Sequence, residues 1–318
     1  MPNPKRITLS FRLQNVGGEA KSIPTVSDEA ALSSAQHVVL LIHGYNNDHQ
    51  DAVDAYNGFH ARQQDADSAA RYGMGRTFVE VYWPGDAAWG MVSALFYMNS
   101  INRAQTVATA LAVFLAARFT AGSVRIDIVA HSMGCRLSLE LLRALEAFQP
   151  MLDIGRMVLM AGAVPTNMLV DENPARRLRP AYDRVLREGV RSLYSGSDMV
   201  LAWAFPAGQT LAGGEEGGIP TALGHAFWVD HSVPLNMGQV ENPSSGHGDY
   251  WGWNTQVQAM QCAQKAAEEV RGFLQFPSAG SRNVSARPLV ESSALEARET
   301  AKQREIFIRE MDTYWPEY

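Results

Sequence analysis

The chain has 318 residues, of which 46 % are hydrophobic and 19 % are charged, an ordinary composition for a globular protein with a large core. Its net charge of −6 argues against nucleic-acid binding, because domains that bind nucleic acid usually carry a basic excess. The most apolar stretch, 106–117, is too short to cross a bilayer, which needs about 20 residues, so no transmembrane segment is expected.

The start of the chain and its two cysteines bear on the cellular location. Residues 7–13 alternate between polar and apolar types, which predicts a strand and not the apolar core of a signal peptide. Cys135 and Cys262 have no metal-binding or redox spacing, so buried, reduced thiols are expected, with a disulfide between them left open. Reduced thiols fit a reducing compartment, and the prediction is a cytoplasmic protein.

Short apolar runs alternate with helical patterns along the body of the chain. Strands are predicted at 37–42, 77–82, 125–130, 156–161 and 190–194, and helices at 51–71, 103–119, 135–148 and 254–271. Strands that alternate with helices pair in parallel, because each parallel pair needs a crossover connection. Runs that are apolar on both faces indicate a sheet covered by helices on each side. The predicted fold is a doubly wound, mostly parallel α/β sheet over residues 1–276.

The last strand and the closing helix of this body have weaker signals. Residues 226–229 form an apolar run that predicts the last strand. Asn254 or Thr255 is the expected cap of the closing helix, and Gly272 is its expected end. The predicted inner stripe of that helix is Val257, Met260, Ala263, Ala267 and Val270.

The end of the chain differs in composition from the body. Residues 277–292 contain Ser, Pro and Gly in the manner of a linker, and residues 294–311 form a weakly amphipathic helical pattern. We expect 277–318 to be a linker followed by a helical tail that is solvated or docked on the body. This tail is the candidate region for homo-oligomer contacts.

The pentapeptide Ala-His-Ser-Met-Gly at 130–134 lies directly between a predicted strand and a predicted helix. A serine on such a sharp turn presents its hydroxyl above the sheet, and Ala130 and Gly134 are small because the turn brings backbone segments together. The N–H of Met133 begins the helix and points toward developing negative charge. Ser132 is therefore the candidate nucleophile, with an ordinary serine N-cap as the structural alternative.

On this motif the chain resembles the α/β-hydrolase family, and the resemblance implies that family's fold. Upstream, residues 41–47 (Leu-Ile-His-Gly-Tyr-Asn-Asn) are similar to the His-Gly loop that supplies a second oxyanion-hole N–H in the family. The resemblance implies Tyr45 as that donor, with Asn46 as the alternative, and a structural role for His43. The sequence of the loop is similar to a bacterial branch of uncharacterised esterase/lipase-like hydrolases.

In this family the catalytic triad follows the order serine, aspartate or glutamate, histidine along the chain. The imidazole takes the proton of the serine hydroxyl, and the carboxylate fixes the imidazole tautomer and stabilises the imidazolium. Asp198 ends the turn 195–198, which leaves the predicted strand 190–194, so it is the candidate acid. Asp171, in a polar loop, and Asp183, in a predicted helix, are the alternatives.

Three histidines follow the candidate acid. His247 lies in the loop 245–250 immediately before the closing helix, where the family places its base, so it is the candidate base. His231, just after the predicted last strand, is the substitute, and His225 opens that strand.

The resemblance implies hydrolysis of a carboxylic ester through an acyl-enzyme, with a small-molecule acyl ester as the substrate. A thioesterase, an amidase or an acyltransferase would use the same triad, and a non-enzymatic binding module could use the same scaffold. The sequence lacks His-Glu-x-x-His, paired Cys-x-x-Cys and a Gly-x-Gly-x-x-Gly after a strand, so neither a metal nor a cofactor is expected.

Two apolar segments follow the carboxyl ends of predicted strands, where ligands bind in sheets of this kind. Residues 86–104, with Trp89 and Phe96, are a candidate cap segment, while Trp203 and Phe205 follow the candidate acid. These four side chains are the candidate pocket lining and would favour uncharged, short- to medium-chain acyl groups, the alternative being plain core packing.

Overall fold

The computed structural model describes ten stretches of the chain. These are residues 4–15, 18–45, 47–64, 75–86, 94–119, 123–147, 152–169, 185–212, 221–226 and 237–276. All of them belong to one compact unit, Met1–Ala286, which includes the predicted domain 1–276. The predicted tail, 277–318, lies outside the described residues, so its linker, helix and oligomer contacts stay predictions.

An eight-stranded sheet forms the centre of the described part of the chain. Its strands are β1 (Lys5–Arg12), β2 (Ala20–Val26), β3 (His37–Ile42), β4 (Thr77–Tyr82), β5 (Arg125–His131), β6 (Asp153–Met160), β7 (Leu186–Tyr194) and β8 (Met237–Glu241). They lie in the order β2-β1-β4-β3-β5-β6-β7-β8. β1 and β2 are antiparallel, and every other neighbouring pair of this described sheet is parallel, which confirms the mostly parallel prediction.

Helices cover both faces of the sheet. They are α1 (Glu29–Ser33), α2 (His49–Gln64), α3 (Ala94–Arg118), α4 (Met133–Ala147), α5 (Phe205–Ala212) and α6 (Val257–Phe273). Alternate residues of β3 enter two apolar clusters: Leu40 packs with side chains of α3 and α4, and Leu41 packs with side chains of α2 and α6. The doubly wound α/β architecture is therefore confirmed. None of the described helices combines the length and apolarity that spanning a membrane requires.

The predicted bounds hold best where a strand is buried on both faces. β3 and β4 span the predicted residues, and nearly every side chain in them is buried. α3 instead begins at Ala94, so residues 94–104 of the candidate cap segment are the first turns of a long helix. The consecutive apolar residues 95–98 hide the helical period of these turns in the sequence. The remaining part of that segment, 87–93, lies outside the described residues.

The strand beside β7 is not where the apolar run predicted it. Ala226 lies in a bend, and 227–229 lie outside the described residues, whereas β8 spans Met237–Glu241. The sequence Met-Gly-Gln-Val-Glu is short, partly polar and half-buried, so a search for apolar runs misses it. Because β8 is parallel to β7, the loop that follows it lies at the carboxyl edge of the sheet.

The ends of α6 also differ from the prediction. The helix begins at Val257 after the N-cap Gln256, so neither Asn254 nor Thr255 caps it. Asn254 accepts a hydrogen bond from the N–H of Gln256 at 3.0 Å and so shapes the preceding turn. At the other end the helix continues through Gly272, which is not its stop signal.

The buried face of α6 is built from small side chains. Val257 is 74 % exposed and Met260 is half-buried, so the predicted stripe is wrong at these two positions. The buried residues are Ala259, Cys262, Ala263, Ala266, Ala267 and Val270. Alanine contributes little apolar area, and a pattern weighted by hydrophobicity therefore misplaces this face. Both Cys135 and Cys262 are buried and free, which agrees with the reduced-thiol prediction.

Candidate active site

The turn between β5 and α4 places Ser132 in a left-handed backbone conformation, with φ of +54°. Such a conformation costs a residue with a side chain about 1–2 kcal/mol. The N–H of Ser132 donates to the carbonyl of Met160 at 2.9 Å, and its own carbonyl accepts from the N–H groups of Cys135 and Ala163. These bonds to the end of β6 and to the first turn of α4 hold the strained turn in place.

Two glycines allow the loop after β3 to lie against this turn. A Cβ on Gly134 would lie 2.4 Å from the carbonyl oxygen of His43, and a Cβ on Gly44 would lie 2.8 Å from the Cβ of Ser132. Neither distance is possible for real atoms, so both positions require glycine. Ala130 is fully buried, and its methyl group is accommodated in the apolar cluster on the α3 and α4 face.

The structure brings the three predicted catalytic side chains together. His247 Nε2 lies 2.8 Å from Ser132 Oγ, and His247 Nδ1 lies 2.8 Å from Asp198 Oδ2. The Asp198 side chain is 0 % exposed and that of His247 is 20 % exposed, while Ser132 is 4 % exposed. The imidazole ring therefore bridges a fully buried carboxylate and a hydroxyl at the sheet edge.

Backbone groups fix the orientation of Asp198. Its second oxygen, Oδ1, accepts from the N–H of Leu201 at 3.0 Å, and its backbone carbonyl accepts from the N–H of Ala202 at 2.9 Å. Oδ2 is thereby directed at the His247 ring. The alternative acids, Asp171 and Asp183, lie outside the described residues.

A short turn after β8 carries His247. Asp249 stabilises this turn, since its carboxylate accepts from the N–H of Gly246 at 2.8 Å. His225, the first of the rival histidines, makes a backbone hydrogen bond to Ser195 instead, and burial lowers its pKa. His231 lies outside the described residues. Of the histidines that are described, His247 is the one that contacts Ser132 Oγ.

A family model supports the architecture that these elements form. The model described as "Alpha/beta hydrolase of unknown function (DUF900)" matches residues 20–168, a range that includes Ser132 and ends before Asp198 and His247. The chain has the α/β-hydrolase fold. The resemblance seen in the sequence is confirmed at this level, while the bacterial branch stays a prediction.

Solved structures of hydrolases are similar to this chain at low identity. Esterase PE8 is 12 % identical with a TM-score of 0.40, and the match covers 83 % of this chain and 99 % of that one. The RedJ thioesterase of the prodiginine pathway in Streptomyces coelicolor is 10 % identical, with a TM-score of 0.37 and coverages of 74 % and 87 %. Dienelactone hydrolase from Anabaena variabilis is 11 % identical, with a TM-score of 0.37 and coverages of 76 % and 88 %. Among curated proteins, none matches the sequence.

In this hydrolase fold His43 shapes the loop after β3. Its Nε2 accepts from the N–H of Trp83 at 3.2 Å, and its Nδ1–H donates to the carbonyl of Gly44 at 2.9 Å. Its carbonyl accepts from the indole N–H of Trp83, and its N–H donates to the Tyr56 hydroxyl. Burial, with a smaller contribution from Arg12, lowers the pKa of His43 to about 3, so the ring stays neutral. These bonds fit the structural role expected for His43.

The two expected oxyanion-hole donors are the residue after Ser132 and a residue of the loop after β3. Met133 is the first residue of α4, and the first N–H groups of a helix have no acceptor within the helix. Tyr45 follows Gly44, where an added Cβ would meet the Cβ of Ser132, and its hydroxyl hydrogen-bonds Ser100 of α3. Their role as a pair stays a prediction, and the alternative donor Asn46 lies outside the described residues.

A buried ion pair that the sequence did not suggest supports the loop after β3. Arg12 Nη1 lies 2.8 Å from Asp86 Oδ1, and both side chains are less than 5 % exposed. Arg12 also donates to the carbonyls of Asn15 and Asn47, so it ties the end of β1 to the loop before α2. Arg12 and Asp86 are far apart in sequence and belong to no motif, so the pattern of the chain carries no signal for them.

The four candidate pocket residues are placed unequally. Phe205 is 2 % exposed and packs in the apolar cluster on the α2 and α6 face, which favours core packing over pocket lining. Trp203 is half-buried in the π-helical turn Val200–Ala204, directly after Asp198. Trp89 and the side chain of Phe96 lie outside the described residues.

Proposed function

We propose that this chain is a serine hydrolase that cleaves carboxylic esters through an acyl-enzyme, with Ser132 as nucleophile, His247 as base and Asp198 as acid. The observation that carries the proposal is the continuous line of two 2.8 Å hydrogen bonds from the buried carboxylate through the imidazole to the hydroxyl. The positive φ of Ser132, which presents its hydroxyl at the carboxyl edge of the sheet, supports it further.

In the first step Ser132 Oγ attacks the carbonyl carbon of the ester as its proton passes to His247 Nε2. Asp198 holds the proton of His247 on Nδ1 and stabilises the imidazolium that forms. The carbonyl oxygen becomes an oxyanion, and the N–H groups of Met133 and Tyr45 stabilise its charge. Hydrogen bonds from these N–H groups strengthen as negative charge develops on the oxygen.

The tetrahedral intermediate then collapses as the bond to the alcohol oxygen breaks. The leaving alcohol takes the proton from His247 Nε2, and the acyl group stays on Ser132 Oγ as an ester. Water then attacks this ester and gives its proton to His247. His247 returns that proton to Ser132 Oγ as the carboxylic acid product is released. The triad accounts for the formation of the acyl-enzyme. The nucleophile that then attacks it, water or another acceptor, distinguishes an esterase from an acyltransferase.

Labelling with a fluorophosphonate tests the proposal directly, since the reagent phosphonylates an activated serine. We expect stoichiometric labelling of the wild-type protein and none of Ser132→Ala. Ser138→Ala is the matched control, because Ser138 is a buried serine of α4 whose hydroxyl donates to the carbonyl of Gly134. Full labelling of Ser132→Ala, or no labelling of the folded wild-type protein, would contradict the proposal.

For the substrate, we propose an uncharged short- to medium-chain acyl ester, bound by the apolar segment after β4 and by Trp203 after Asp198. Each methylene buried contributes about 0.8 kcal/mol, so kcat/KM should rise about threefold or more per added carbon until the pocket is full. A series of p-nitrophenyl esters from acetate upward measures this rise. A flat series, or a preference for a dicarboxylate monoester, would rule out an apolar acyl pocket.

A further inference from the structure

His131 lies between the nucleophile turn and the loop that carries the proposed base. It is the last residue of β5, directly before Ser132, and is 5 % exposed. Its ring centroid lies 5.0 Å from that of His247 and 6.0 Å from that of Trp251. On its other side, a Cβ on Gly44 would lie 3.0 Å from its Nδ1. The ring therefore fills the space between the loop after β3 and the loop after β8.

One hydrogen bond joins His131 to the backbone of the base. Its Nε2 lies 2.7 Å from the carbonyl oxygen of His247. A carbonyl oxygen only accepts, so Nε2 carries the proton and donates. Among the described residues Nδ1 of His131 is buried and has no partner, which fits an unprotonated nitrogen and a neutral ring.

A neutral donor suits this place because the neighbouring ring must become positive during catalysis. Burial, and to a smaller extent the adjacent His247, lower the pKa of His131 to about 3. His131 therefore supplies a hydrogen bond without adding a second positive charge next to the His247 imidazolium. A lysine or arginine at this position would oppose the proton transfer.

We propose that His131 is a positioning residue, whose Nε2–H holds the carbonyl of His247 and so sets the distance between His247 Nε2 and Ser132 Oγ. His247 lies in a turn outside any helix or strand, whereas His131 and Ser132 are neighbours at the end of one buried strand. The bond thus ties the base to the strand that presents the nucleophile. This inference rests on the proposed function.

A pair of near-isosteric substitutions separates the hydrogen bond from the packing. His131→Gln keeps an N–H donor near the position of Nε2, while His131→Met fills similar space without a donor. We expect His131→Met to lower kcat for p-nitrophenyl butyrate about 10- to 100-fold with KM nearly unchanged, because misplacing a reacting group costs rate and not binding. His131→Gln should recover most of kcat.

His60→Met is the matched control for loss of a buried histidine. His60 is 3 % exposed and hydrogen-bonds Glu80 through Nε2, in the packing of α2 against β4. The His60→Met variant should have a lower free energy of unfolding and nearly unchanged kcat. If His131→Met does not fold, His131→Leu is a smaller donor-free replacement that tests the same bond.

A second readout does not depend on turnover. The proton on His247 Nδ1, bonded to Asp198, gives a far-downfield NMR signal when the ring is held in place. We expect this signal in wild type and His131→Gln and its loss or broadening in His131→Met. Wild-type kcat and signal in folded His131→Met, or equal damage in both variants, would overturn the inference. If wild type lacks esterase activity and labelling, the serine-hydrolase proposal fails, while a signal lost only in His131→Met still supports the positioning role.

Discussion

Two histidine–aspartate pairs lie at opposite ends of the same sheet and have nearly the same geometry. His247 Nδ1 is 2.8 Å from Asp198 Oδ2 at the carboxyl end, and His37 Nε2 is 2.8 Å from Asp127 Oδ2 at the amino end. Both carboxylates are 0 % exposed, and the histidine side chains are 20 % and 16 % exposed. Distance and burial alone do not distinguish a proposed catalytic pair from a structural one.

The surroundings of the two carboxylates differ. The second oxygen of Asp127 contacts the guanidinium of Arg125 and the N–H of Arg156, so a cation already shares its charge. The second oxygen of Asp198 accepts from the N–H of Leu201, a neutral group. Asp198 therefore keeps its full charge available to an imidazolium, while the charge of Asp127 is used to hold strand ends together.

The histidines also present different ring nitrogens. His247 uses Nδ1 for its aspartate, which leaves Nε2 at the end of the side chain for Ser132 Oγ. His37 uses Nε2 for Asp127. The candidate nucleophile on a strained turn, more than the histidine–carboxylate pair, makes the carboxyl end a candidate site.

The largest expected difference comes from removing each histidine. His247→Ala should lower turnover about 10⁶-fold, because nucleophile and base act as one unit. His37→Ala should leave turnover unchanged and lower the free energy of unfolding by about 1.5–3 kcal/mol, the usual contribution of a hydrogen bond to a charged group. Turnover of p-nitrophenyl butyrate and urea unfolding measure both. Loss of turnover in His37→Ala would mean that the amino end takes part in function.

Replacing each aspartate gives the next largest effect. Asp198→Asn should leave the fold intact and reduce turnover about 10⁴-fold, since the amide favours the wrong imidazole tautomer. Asp127→Asn should instead destabilise the protein by about 3 kcal/mol, because the buried carboxylate that pairs with Arg125 and His37 loses its charge. Steady-state kinetics and unfolding on the same preparations separate the two outcomes. Near-wild-type turnover in Asp198→Asn would direct attention to Asp171.

A smaller effect is expected from the glycine that lets the loop after β3 approach the nucleophile. In Gly44→Ala the new methyl would meet Ser132 Cβ and the His131 ring, which would displace Tyr45, the proposed oxyanion donor. Loss of one such donor lowers turnover about 100-fold or more. Gly238→Ala is the control, because the contacts of its Cβ would begin at 3.6 Å. Equal kcat values for the two variants would exclude a role for this loop in oxyanion binding.

The last expected effect concerns pH. The pKa values of His43 and His131 are lowered to about 3 at the carboxyl end, well below the value of about 6.5 in an unfolded chain. Both rings are neutral in both states above pH 6.5, and below it only the unfolded chain gains their protons. The free energy of unfolding should therefore fall as pH drops from about 6.5 toward 3. In His131→Gln the slope of the unfolding free energy against pH, measured by urea unfolding, should decrease by the equivalent of about one proton. An unchanged slope would contradict the assignment.

The sequence predicted those parts of the molecule that local patterns encode. β3 could be found because its residues are buried on both faces, and the place of Ser132 follows from a strand, small residues and a helix in succession. β8 was missed because only two of its five residues are apolar, and its exposure is intermediate throughout.

Contacts between distant parts of the chain carried no such pattern. Arg12 pairs with Asp86 across 74 positions, and the His43–Trp83 bonds span 40 positions. His37 and Asp127 come together only because β3 and β5 are neighbours in the sheet, an order that the sequence pattern did not specify. The contact between His131 and His247 could not be predicted either, because the two residues are far apart in the sequence and no local pattern links them.

The positive φ of Ser132 implies a trade-off between thermal stability and the proposed catalytic role of its hydroxyl. Glycine adopts that conformation without the strain of about 1–2 kcal/mol that a side chain adds. A library selected only for survival at high temperature would therefore enrich glycine at position 132 and discard the hydroxyl. Laboratory evolution of a thermally more stable variant therefore has to select on turnover in every round.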